Sequence, residues 1–79
     1  MSYEGYDSKE KQYEYILKKV AKGVSLKEIH DKTWANIVAN DKLGYSKRSK
    51  LHNKSIDELC KYDSFMLGVC AHIKKLLKK

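Results

Sequence analysis

Five cations, Lys42, Lys47, Arg48, Lys50 and Lys54, follow one another through the middle of the chain with no acidic residue between them. Such side chains bind phosphate, lysine as a point charge and arginine through a planar fork that also fits a guanine edge. Asn53 lies in the same stretch, and its amide is of the kind that pairs with an adenine edge. The other reactive side chains are less well arranged. His30, His52, His72, Cys60 and Cys70 include no Cys-x-x-Cys or His-x-x-x-His pair, the local spacing of zinc sites, so no metal is expected. The ten acids are scattered, no glycine-rich phosphate loop is present, and 79 residues leave little interior in which to tune a catalytic group. The chemistry on offer is the binding of an anion. No enzyme activity and no cofactor are expected.

The elements that must position these cations are helices. There is no proline and there are four glycines, a composition that suits an all-α bundle and disfavours a many-turned sheet. Residues 1–6 lack periodicity and read as a flexible arm, with Tyr3 and Tyr6 free to stack on bases. The capping-box spacing of Asp7-Ser8-Lys9-Glu10, followed by Tyr13, Ile16, Leu17, Val20 and Ala21, predicts a helix over 8–22 that ends at Gly23. Ser25-Leu26-Lys27-Glu28 starts another, with Leu26, Ile29, Trp34, Ile37 and Val38 inward. The polar interruption at 30–33 favours two short helices here, with Thr33 capping the second and Trp34 anchoring the core. Gly44 marks a turn. Ser46 is suited to cap a helix running to about Cys60 with Leu51, Ser55, Ile56 and Leu59 inward, and 61–64 favours a break over a continuous helix. A last helix follows with Phe65, Met66, Val69, Cys70, Ile73, Leu76 and Leu77 on one face, closing the core or pairing two copies of the chain. The expectation is one helical domain over 1–79, a compact bundle of four to five helices.

Charge is polarised along the chain. Residues 1–41 balance seven lysines against seven acids, whereas residues 42–79 carry nine lysines, Arg48 and three acids, so the whole net charge of +7 lies in the second half. A polarised surface points to a polyanion such as nucleic acid or an acidic protein. The lysines that end the chain suit the dipole of the last helix. No run approaches the ~20 apolar residues of a membrane span, and the first residues lack the basic and apolar parts of a signal peptide. A cytoplasmic setting with free thiols is therefore expected.

The segment 34–59 has the layout of a helix-turn-helix, in which the second helix offers its first residues to the major groove. Ser46 would cap that helix, Lys42, Lys47, Lys50 and Lys54 would sit on phosphates, and Arg48 and Asn53 would read base edges. Neutralising about five phosphates would give log affinity a slope of roughly −4 to −5 against log salt. Thr33-Trp34, Ile37-Val38, Leu43-Gly44-Tyr45-Ser46-Lys47-Arg48 and Asn53-Lys54-Ser55-Ile56-Asp57-Glu58-Leu59 resemble phage-encoded transcriptional regulators of the ArpU and RinA type. A similar Gly-Tyr-Ser-Lys stretch occurs in small terminase subunits of phages. The resemblance covers about a third of the chain. It implies a helix-turn-helix like region 4 of sigma factors, double-stranded DNA as partner, a recognition helix beginning at Ser46, and a place in a bacterial host cell beside its transcription machinery. A homodimer on paired half-sites is the common arrangement for such a motif. The rival reading is a basic helical inhibitor that covers an acidic or nucleic-acid-binding surface of a host protein.

Overall fold

In a computed structural model residues 8–78 are described, and among them there are four α-helices and no strand. The helices are α1 (Lys9–Ala21), α2 (Leu26–Leu43), α3 (Tyr45–His52) and α4 (Ile56–Leu77). The arm at 1–6 and the acceptor at Asp7 lie outside the described residues.

Three serines start three of the helices. Ser8 Oγ accepts from the Lys11 N–H at 3.0 Å, and Ser25 Oγ accepts from the Glu28 N–H at 3.1 Å. Ser55 forms a full reciprocal box: its hydroxyl accepts from the Glu58 N–H at 3.1 Å, and its own N–H donates to Glu58 Oε1 at 3.0 Å. Each contact satisfies an N–H that a helix start would otherwise leave unpaired. The α2–α3 junction is Gly44 alone, at φ 79 and ψ 160. That backbone region is essentially restricted to glycine. Space is not the constraint, because nothing lies within 4 Å of the point a Cβ would occupy.

The core is built by three of the four helices. Ile16 of α1, Ile29 of α2, and Phe65, Met66, Val69 and Ile73 of α4 form one buried cluster, with Tyr15 edge-on to Phe65 at 5.8 Å between centroids. Gly68 lets α1 lie close, since a Cβ there would run into the Gln12 amide. No residue of α3 belongs to the cluster.

Several boundaries differ from the sequence reading. α2 is continuous through 30–33, and Thr33 is a buried interior residue in the stripe of Ile29, Thr33 and Ile37, not a cap. That stripe sets the phase of the helix and turns Trp34 outward, 46% exposed. Ser46 is the second residue of α3 and does not cap it. α3 stops at His52 instead of near Cys60, because Asn53 takes the left-handed conformation (φ 54) and Ser55 opens a new helix. Ser55, Leu51 and Ile56 are therefore exposed and not inward. α4 passes through 61–64 unbroken, since Leu59, the half-buried Tyr62, Met66, Val69 and Ile73 hold the helical spacing across it. Cys60 faces solvent while Cys70 is buried, and neither is bridged. Phe65, Met66, Val69 and Ile73 close the monomer core and are not available to pair two copies.

Candidate nucleic-acid interface

α3 is fastened to the bundle by charge. Arg48 is 3% exposed, and its guanidinium forks onto the Asp63 carboxylate of α4, Nη1 to Oδ2 at 2.9 Å and Nη2 to Oδ1 at 2.8 Å. These are the lengths and geometry of a bidentate charge-assisted pair, the strong form of this interaction. The hydrogen bonds to Asp63 raise the Arg48 pKa further above its ordinary value. The same guanidinium lies 5.5 Å from the centre of the Tyr45 ring. Hydrogen bonding with the Cys60 thiol, with Asp63 also nearby, pushes the Tyr45 phenol up to about 12. At the far end of α3 the Ser49 hydroxyl donates to the Lys54 carbonyl at 2.6 Å, and the Lys54 N–H returns to the Ser49 carbonyl at 3.2 Å. The helix is thus pinned at its middle and at its exit.

Turning Arg48 inward decides what α3 shows to solvent. At 3.6 residues per turn, Ser46, Lys47 and Lys50 fall within about 100° of arc on the side away from Arg48. All three are exposed. Lys42 is exposed near the end of α2, one short step before the Gly44 junction. No side chain caps the start of α3, so its first N–H groups are left to solvent or an anion.

The residues expected to meet DNA are divided by this geometry. Lys42, Ser46, Lys47 and Lys50 are outward. Arg48 is not on that face: expected to read a base, it is spent on Asp63 inside the molecule. Asn53 is exposed but lies at the end of α3, where its backbone terminates the helix. Lys54 is half-buried in the connection to α4. Asp57, next in the 3–4 spacing that runs through Lys47, Lys50 and Lys54, belongs to the first turn of α4. The residue that sequence reasoning passed over is Asp63. Its signal was present, since it is the one acid between Glu58 and the end of the chain, downstream of a run of cations.

Among the described residues no group of His, Cys, Asp and Glu is placed to hold a metal. No described helix is long and apolar enough to cross a membrane. No family model, curated protein or solved structure matches the chain. Its functional reading rests on its own residues.

Proposed function

We propose that the protein binds double-stranded DNA through the outward face of α3, as a small regulator of the phage type, with α2, Gly44 and α3 serving as a helix-turn-helix. The observation that carries this reading is the pairing of the Arg48–Asp63 fork with the exposure of Ser46, Lys47 and Lys50 opposite it. Lys47 and Lys50 sit on phosphates, Lys42 and Lys54 extend the contact on either side, and Ser46 reaches the groove edge. The uncapped start of α3 adds a further attraction for phosphate. With Arg48 committed to Asp63, contacts to the backbone outweigh contacts to bases, and recognition is semi-specific. Four lysines in place of five cations lower the expected salt slope to about −3 to −4.

Binding of random duplexes across a salt series tests this, followed by selection from a random pool. Micromolar binding with that slope supports the reading. A flat salt response contradicts it. One observation favours the rival reading: Leu51, 65% exposed, and Leu43, 41% exposed, stand beside the lysines and offer apolar surface that a phosphate backbone does not use. A protein inhibitor would bind an acidic partner there, and the chain would leave duplex DNA unbound even at about 50 mM salt.

A further inference from the structure

On the inner side of α3 there is a cavity of about 290 Å³, lined by Asn36 and Asn40 from α2, Arg48 and His52 from α3, Lys54 from the connection, and Tyr62 from α4. We infer that this cavity binds a small organic phosphate, a phosphate monoester carrying a flat ring, of the size of a nucleoside monophosphate.

The inference starts from Arg48. Its two Nη groups are occupied by Asp63, but its Nε is buried and has no hydrogen-bond partner. Buried N–H groups of a cation are rarely left in this state, and Arg48 is one of the residues that line the cavity. The lining supplies further donors, from His52, Lys54 and the two asparagine amides, and no carboxylate. An anion is the complement of such a lining. The volume exceeds what inorganic phosphate fills and lies near the lower end of small-molecule pockets. Leu59 and the Tyr62 ring provide an apolar wall for the rest of the ligand. Asn36 and Asn40 stand one helical turn apart, and Asn36 Nδ2 donates to the Tyr62 hydroxyl at 3.2 Å, which leaves its carbonyl oxygen as an acceptor. Amide groups at that spacing suit the polar edge of a heterocycle. A nucleotide free in solution and the 5′-phosphorylated end of a nucleic-acid strand both present this group.

The cavity lies on the opposite side of α3 from Lys47 and Lys50 and shares Lys54 alone with the contacts of the DNA reading, so a failure of one can be told from a failure of the other. Titration of the full chain with adenosine monophosphate, followed by amide chemical shifts, tests it. The expected result is saturable shifts at Asn40, Arg48, His52 and Tyr62, with adenosine binding at least tenfold more weakly. The variant Lys54→Gln should weaken adenosine monophosphate at least tenfold while its spectrum remains folded, and His52→Ala should do so by a smaller factor. A 5′-phosphorylated trinucleotide that binds more tightly than adenosine monophosphate identifies a strand end as the source, and weaker binding identifies a free nucleotide. Equal affinity for adenosine and its monophosphate, or shifts confined to Lys47 and Lys50, would overturn the inference.

Discussion

Two parts of this molecule are held together by different physics. The bundle of α1, α2 and α4 is closed by apolar side chains, with Val69 and Ile73 wholly buried at its centre. The α3 segment adds nothing to that cluster and is fastened by one charged fork and a few hydrogen bonds at its exit. Apolar packing is non-directional and tolerates adjustment, whereas a bidentate arginine fixes a short helix in one orientation. The contrast explains how an eight-residue helix, too short to be stable alone, can hold its lysines outward in a fixed array.

The comparison can be broken most severely from the core side. Ile73→Ala should destabilise the whole fold by about 3–4 kcal/mol, because a buried isoleucine loses its transfer energy and leaves a cavity. Thermal unfolding should show one cooperative loss of all helices. Arg48→Met should cost about 2–3 kcal/mol. That is below the cost of opening a fully buried pair, since the Asp63 side chain keeps 20% exposure and can recover water. Its damage should be local, with amide exchange accelerated in α3 before α1. Equal acceleration throughout would show that α3 and the bundle are a single unit after all.

Smaller effects sharpen the contrast. Ser55→Ala should cost about 1 kcal/mol at the start of α4. The Ser55 N–H holds the Glu58 carboxyl below its ordinary value. A depressed folded pKa gives stability that is complete above the unfolded value and is lost as pH falls through the folded one. Acid titration of stability should therefore show this loss at the low-pH end, and Glu58→Gln should remove it. Trp34→Ala should cost less than about 1 kcal/mol, as expected for an exposed ring whose recorded partner is the Lys74 ammonium 5.8 Å from its centre. Its fluorescence should be readily quenched by acrylamide in the folded protein.

The sequence reading did best where the cause was local. Ser25 and Gly44 mark their helix ends through contacts within a few residues, and the apolar spacing of Phe65, Met66, Val69 and Ile73 carries its own phase, whereas α1 is capped by Ser8 where the spacing to Glu10 pointed to Asp7. The Ser55-x-x-Glu58 box was equally local but was hidden by expecting a longer α3 across it. The failures elsewhere have a tertiary origin. Residue type places Arg48 on the surface, and only the approach of α4 brings Asp63, fifteen residues later, to receive it. Trp34 is apolar enough for the core, yet Ile29, Thr33 and Ile37 carry the inward face of α2, and Trp34 falls beside that stripe, 46% exposed. The outward set of Ser46, Lys47 and Lys50 was half legible, since their spacing was readable and the side they face was not.

The most direct test of the central claim is the affinity of the double variant Lys47→Glu with Lys50→Glu for duplex DNA, measured over a salt series on protein shown to be folded. The account predicts at least a tenfold loss, a salt slope shallower by about two, and an unchanged melting temperature, because neither lysine holds α3 in place. Wild-type affinity and slope in that folded variant would contradict it and remove α3 from the interface.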